Sequence, residues 1–221
     1  MHRHERFGNL FVLAHPLIQH KLTLMRRQET PAPLFRQLLW EISLLMGYEL
    51  TRALPLAIER IVTPVAEMDA PVLSGGSPVI VSILRAGLGM ADGLHALLPN
   101  AREGHIGIYR EPVTHRPVEY YAKLPEAGGR SAILADPMLA TGNSARHAVE
   151  LLNRHGFADR DIRLMVLVAA PEGVRNLEES HPDVPVYTAA LDERLNEKAY
   201  ILPGLGDAGD RLFGTNERPG R

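Results

Sequence analysis

Five short apolar runs, each leading to a helical segment or a long break, constrain this chain more than any other feature. They lie at residues 79–84, 104–109, 131–135, 163–169 and 185–191. Each is apolar on both faces, so each needs cover on both faces. Strands of that kind, alternating with helices, form a parallel sheet packed between helical layers. The helices follow in place. Residues 86–98 put Met90, Leu94, Leu97 and Leu98 on one side, and residues 144–155 put Ala145, Ala148, Val149 and Leu152 on one stripe. Gly156 can close the second helix as a left-handed cap, and residues 172–180 supply a third. Upstream, Phe35, Leu38, Leu39, Ile42, Leu45 and Met46 recur at helical spacing after Pro31 and Pro33 and before Gly47. Residues 48–78 are punctuated by Pro55, Pro64, Pro71, Gly75 and Gly76. They read as irregular structure with short strands. The expected fold is thus α/β, a parallel central sheet flanked by helices, in one domain over residues 1–221.

In such a sheet, ligands bind beyond the carboxyl ends of the strands. Three of those ends carry charge: Arg85, Arg110 and Asp136. The third opens the densest stretch of the chain, Asp136-Pro137-Met138-Leu139-Ala140-Thr141-Gly142-Asn143-Ser144. A turn of small polar residues at a helix start aims several backbone N–H groups at one spot, where the helix dipole favours phosphate. Asp136 repels phosphate and suits sugar hydroxyls, so the segment suggests a sugar phosphate. An ordinary strand-to-helix turn capped by Asn or Ser has the same composition. Arginine suits multidentate phosphate binding, although an Arg at a strand end is as often merely solvated. Residues 111–129 have no period. They read either as a lid over this edge or as a surface hairpin.

Other signals exclude more than they propose. Net charge is −2, without a basic stripe that nucleic acid would require. There is no Cys, hence no disulfide, thiolate metal site or Cys nucleophile; this fits a reducing compartment. No apolar run approaches the roughly 18 residues of a membrane span, and residues 1–6 do not read as a secretory signal. The expected location is the cytoplasm. His2 and His4 read as a disordered, exposed end rather than a metal pair. His15 and His20 read as structural or interfacial. Residues 204–209 match G-x-G-x-x-G but lack a following βα unit. Gly87, Gly89 and Gly93 form a looser version in a better context, which keeps a dinucleotide oxidoreductase among the alternatives.

The chain resembles the uracil phosphoribosyltransferases. The matching pieces are His15-Pro16-Leu17 with His20-Lys21-Leu22, residues 83–90, Tyr109-Arg110, residues 136–144, 167–173, 181–184 and 200–210, and Phe213-Gly214-Thr215. They run in the family's order from about residue 14 to 215. The resemblance implies transfer of phosphoribose from 5-phosphoribosyl 1-diphosphate (PRPP) to uracil, giving UMP and diphosphate. It implies a type I phosphoribosyltransferase fold with a small hood over the sheet edge, built from N- and C-terminal segments. It assigns Arg85 and Arg110 to the diphosphate-bearing substrate and residues 136–144 to the ribose and 5′-phosphate. It assigns Ile201, Gly206, Asp207 and Ala208 to uracil, with Asp207 also near the donor. Mg²⁺ is implied, mainly on substrate oxygens and water rather than in a protein cage. So are a homo-oligomer and, in some members, activation by GTP. Nucleic acid and membrane are not expected partners. One departure stands out: the family usually has Gly where this chain has Asn143. A left-handed backbone there tolerates Asn best among non-glycine residues, with the side chain either crowding the phosphate or bonding to it. That residue favours a non-catalytic ligand sensor on the same fold; intact Arg85, Asp136 and Asp207 favour an enzyme.

Overall fold

The five runs pair as one parallel array in the computed structural model, which describes residues 1–110 and 117–215, with the side chains of Arg110 and Pro117 left aside. In chain order the elements are β1 (His2–Arg3), β2 (Leu10–Val12), α1 (Pro16–Arg26), α2 (Ala32–Leu50), β3 (Leu56–Val62), β4 (Glu67–Leu73), β5 (Val79–Leu84), α3 (Gly87–Leu97), β6 (Glu103–Arg110) and β7 (Pro117–Lys123). There follow β8 (Ala132–Ala135), β9 (Met138–Leu139), α4 (Asn143–Arg154), β10 (Ile162–Ala169), α5 (Pro171–Ser180), β11 (Val186–Leu191), β12 (Arg194–Leu195), β13 (Ile201–Leu202) and α6 (Ala208–Phe213). The main sheet has the order β1-β2-β11-β10-β8-β5-β6-β7. The strands from β2 to β6 in that order are mutually parallel, and β1 and β7 are antiparallel edges.

Period-two alternation divides the core. Ile80, Ile133, Met165 and Leu167 face a layer containing Ile18, Leu22, Phe35, Leu39, Ile42, Met90 and Leu94. Val79, Val81, Leu134, Leu164 and Val166 face Ala148, Val149, Leu152, Val174 and Leu177. The first layer is α1, α2, α3 and α6; the second is α4 and α5. Gly156 takes φ 86° just past α4, as a left-handed cap requires.

The structure refines or corrects four expectations. Residues 48–78 contain short strands as expected, but these are regularly paired. They hold β3 and β4, paired in unbroken register from Leu56↔Leu73 to Val62↔Glu67. Pro55 and Gly75 bracket this hairpin, while Pro71 sits within an edge strand, where a missing N–H is tolerated. Residues 117–123 are the edge strand β7, antiparallel to β6, with the bulge between Gly107 and Ile108 bending the pair; they are more regular than expected, Tyr120 among them lines the cleft described below, and the rest of the expected lid or hairpin at 111–116 lies outside the described residues. Gly87, Gly89 and Gly93 serve helix packing. A Cβ on Gly93 would come 2.5 Å from the Trp40 carbonyl, and one on Gly87 would come 2.5 Å from that of Ala135. The dinucleotide reading loses its motif. Finally, His2 is in a paired strand, opposite Val12, and not in a disordered end. His15 proves structural: its Nδ1 accepts from the Leu17 N–H and caps α1.

Candidate active site

A cleft of about 650 Å³ opens at the carboxyl ends of β5, β6 and β8. One wall is the segment after β8. Both β8 and β9 pair with β10, and the register passes through the gap unshifted, Met165↔Ala135 then Val168↔Met138. Pro137 sits in that gap. It has no N–H to give, but its carbonyl accepts from Leu167 (3.0 Å) and Val168 (3.2 Å). The chain therefore stays stapled to the sheet through Leu139, then turns through Thr141 and Gly142 into α4. Gly142 is left-handed, φ 82°. A Cβ there would lie 2.7 Å from the Gly173 carbonyl, and a Cβ on Gly173 would lie 2.4 Å from the Ala140 carbonyl. Backbone meets backbone, and α5 fixes where this turn can be. The first N–H groups of α4 have no intrahelical acceptor, and they open where Gly142 and Ser144 line the cleft.

The facing wall is the turn 204–207 leading into α6. Gly204 and Gly206 both take positive φ, 63° and 79°. Asp192, which follows β11, binds Arg26 of α1 through two bonds of 2.6 and 2.8 Å and accepts from the Gly204 N–H at 2.9 Å. Arg26 also donates to the Gly204 carbonyl, 2.6 Å. Arg211 donates to the carbonyls of Leu205 (2.9 Å), Met25 (2.5 Å) and Arg27 (2.6 Å) and lies over the Phe35 ring. Burial lowers the Arg211 pKa from its usual value, though a guanidinium stays charged at neutral pH.

Most of the expected residues meet here. Arg85, Asp136 to Gly142, Ser144, Gly206, Asp207 and Ala208 all line the cleft. Arg85 is solvent-exposed and stacks on Phe213 at 5.2 Å, so α6 holds it at the rim. Asp136 Oδ1 accepts from the Met138 N–H at 3.4 Å. Asp207 caps α6, accepting from the Asp210 N–H at 2.9 Å. Two expected residues lie elsewhere. Ile201 is only 3% exposed, its side chain in the core rather than on the wall. Asn143 is absent from the lining. Arg110 ends β6, and its side chain is outside the description. Other lining residues had no site role in the sequence reading, among them Tyr109, Tyr120, Lys198, Ala199 and Tyr200. Ala199 has φ 60°, held because Asn196 Oδ1 accepts from the N–H groups of Lys198 and Tyr200. An Asn two residues before a Lys is the available signal.

Comparison with known proteins identifies this arrangement. A family model described as "Uracil phosphoribosyltransferase" matches residues 12–215. The uracil phosphoribosyltransferase of Rhodospirillum centenum is 64% identical over 215 residues, covering 97% of this chain and 100% of that protein. The chain belongs to the uracil phosphoribosyltransferase family. The corresponding enzyme of Paraburkholderia phymatum is 58% identical, with 97% and 99% covered. Among solved structures, the AQ2163 protein from Aquifex aeolicus superposes with TM-score 0.90 at 36% identity, over 95% of this chain and all of that one. An adenine phosphoribosyltransferase from Thermoanaerobacter pseudethanolicus shares the fold, TM-score 0.50 at 13% identity, over 77% and 97%. The chain is thus a phosphoribosyltransferase-fold pentosyltransferase, as its resemblance to the family had implied. Among the described residues, no helix is long and apolar enough to cross a membrane.

Within this family setting, Asn143 reads differently from its sequence-based expectation. It opens α4 with helical backbone, and Gly142 before it carries the positive φ. Its Oδ1 accepts from Asn176 Nδ2 of α5 at 2.9 Å. The side chain is committed to α5, so it does not make the case for a non-catalytic sensor.

Proposed function

We propose that this chain transfers the phosphoribosyl group of PRPP to uracil, producing UMP and diphosphate. One observation carries the reading: the turn after Asp136 and the turn through Gly206-Asp207-Ala208 face one cleft, with Arg85 at its rim. In this reading the α4 amides hold the 5′-phosphate, and Asp136 accepts from the ribose hydroxyls. The C1–O bond to diphosphate breaks as the uracil N1 attacks from the opposite face, and the proton on that nitrogen leaves to the departing diphosphate or to water. The ring gains oxocarbenium character, as in glycoside hydrolysis. Arg85 stabilises the departing anion, and Arg110 has the same role by its place at the end of β6. Backbone groups of Ile201 and 206–208 read the uracil edge.

Mg²⁺ fits as an ion carried by the donor. Among the described residues no group of three His, Cys, Asp or Glu is placed to hold a metal, and Mg²⁺ keeps several waters when it binds phosphates. Asp136 and Asp207 are the carboxylates that line the cleft and would face that water shell. When bound, Mg²⁺ neutralises diphosphate charge.

The hood over the sheet edge comprises α1, β12, β13 and α6, within one domain. A homo-oligomer also follows. The hairpin β3–β4 exposes Ile58 (71%) and Val65 (94%), with Leu56, Val62 and Met68 nearby. A lone two-stranded hairpin is marginal in water, and a second copy of the chain is the proposed cover.

The test is a competition between labelled uracil and cytosine with PRPP and Mg²⁺, products separated by chromatography. UMP should dominate, because cytosine places an amino donor against backbone donors and leaves them unpaired, a mismatch that can reach roughly 10⁴-fold. Comparable CMP and UMP would sink the base-pocket assignment; no nucleotide at all would sink the activity.

A further inference from the structure

We infer that Asn176, on α5 outside the cleft, is a positioning residue for the 5′-phosphate, working together with Asn143. The inference rests on reading residues 136–144 as the phosphate-holding turn. Asn176 Nδ2 donates to the Thr141 carbonyl at 2.7 Å and to Asn143 Oδ1 at 2.9 Å. A carbonyl only accepts, so the Asn176 amide nitrogen must face Thr141, and Asn143 must then present its oxygen. The chain thereby gains two bonds across the junction of α4 and α5.

The consequence follows from peptide geometry. The Thr141 C=O and the Gly142 N–H belong to one planar trans unit and point in opposite directions. Anchoring the carbonyl on α5 turns the Gly142 N–H away from α5, toward the side on which Gly142 lines the cleft. Gly142 has no side chain to hold its own peptide plane, and left-handed glycine has wide freedom. Asn176 supplies that hold. Asn143 supplies the second acceptor that keeps the Asn176 amide in place. An Asn in a position the family usually gives to Gly is therefore a brace on the phosphate turn, built from outside it.

Five forms test this: wild type, Asn176→Ala, Asn176→Leu, which keeps the bulk without the donor, Asn143→Gly, and the double variant Asn176→Ala/Asn143→Gly. Calorimetry should follow ribose 5-phosphate and, separately, diphosphate; steady-state kinetics should give KM for both substrates, and melting curves should check folding. The Asn176 variants should bind ribose 5-phosphate about tenfold more weakly, as loss of hydrogen bonds of ordinary strength implies. KM for PRPP should rise in step. Diphosphate binding and KM for uracil should not move. Asn143→Gly should cost about threefold, and nothing further in the Asn176→Ala background. Unchanged ribose 5-phosphate binding in folded variants overturns the inference. So does equal weakening of both ligands, which would mean general loosening, or an Asn143→Gly effect independent of Asn176. Should the Asn176 variants unfold, unchanged binding by Asn143→Gly overturns it alone. A wild type that does not bind ribose 5-phosphate removes both the turn assignment and the brace; one that binds it but forms no UMP removes the activity and leaves the brace standing.

Discussion

The two walls of the cleft are both short glycine-bearing turns before a helix, yet they are held in opposite ways. The turn after Asp136 is held by its neighbours in the sheet and by backbone packed on backbone, with Gly173 and Gly142 leaving no room for a Cβ. The turn through Gly204 and Gly206 is held by charged side chains from far away. Arg26 is 178 residues from the Gly204 carbonyl it binds, and Arg211 is 186 from that of Met25. The first kind of support is mainly steric, close-packed backbone with one side-chain brace from Asn176, and is tolerant of charge but not of volume. The second is electrostatic, tolerant of volume but not of losing a partner.

Removing a partner should therefore have the largest effect. Asp192→Ala leaves Arg26 facing carbonyls without its counter-ion and deprives the Gly204 N–H of an acceptor. Asp192 is buried but the Arg26 side chain is 22% exposed, so breaking this part-buried pair and its charge-assisted bonds costs about 3 kcal/mol. Denaturant melts should show that loss, together with a weaker KM for uracil than for PRPP; a melt unchanged within error would refute the electrostatic account of this wall. Arg85→Ala probes the rim where the walls meet, over Phe213. It should lower turnover by roughly 2–4 kcal/mol of transition-state stabilisation, about 30- to 1000-fold, with little change in melting. Retained activity would remove Arg85 from the site. Gly173→Ala tests the steric wall. It should cost about 1–3 kcal/mol and raise KM for PRPP more than for uracil, the mirror image of Asp192→Ala. Should both substitutions affect the two substrates alike, the walls are not separately supported.

The smallest expected effect lies behind the electrostatic wall. Lys21 of α1 binds Glu41 of α2 at 2.5 Å, and this bond holds the Glu41 carboxyl below its ordinary range. A depressed folded-state pKa gives stability that is present above the unfolded value and lost as pH falls through the folded one. Glu41→Gln should therefore cost up to about 1 kcal/mol at neutral pH and nothing once the carboxyl is protonated in acid. Melts across pH would reveal the convergence; parallel curves would exclude the pair as a source of acid sensitivity.

What the sequence disclosed follows the same division. The strand, turn and helix from Ala132 to Arg154 are contiguous, so apolar run, small polar residues and periodic stripe all appear in one reading frame. Arg26 and Arg211 look like ordinary surface cations in sequence, because their acceptors are carbonyls brought near by the fold. Asn176 gives no signal for a similar reason: its partners are 33 and 35 residues away. The hairpin β3–β4 was hidden differently. Its prolines and glycines look like breaks, and its strands are exposed on both faces, so they lack the alternation by which a half-buried strand is recognised. Ile201 shows a further limit, since a residue inside a family motif can have its side chain in the core rather than on the cleft.

Arg211 has one more consequence, which concerns the order in which the molecule is made. Its guanidinium joins the connection between α1 and α2 and covers Phe35, elements translated long before it. Synthesis proceeds from the N-terminus, so the Met25 and Arg27 carbonyls lack their donor until α6 has been made. Contacts at such separation are closed late. A chain ending before α6 thus has the supports of the turn after Asp136 but lacks Arg211 and its cover over Phe35. Arrival of α6 completes the second wall and the helical layer together.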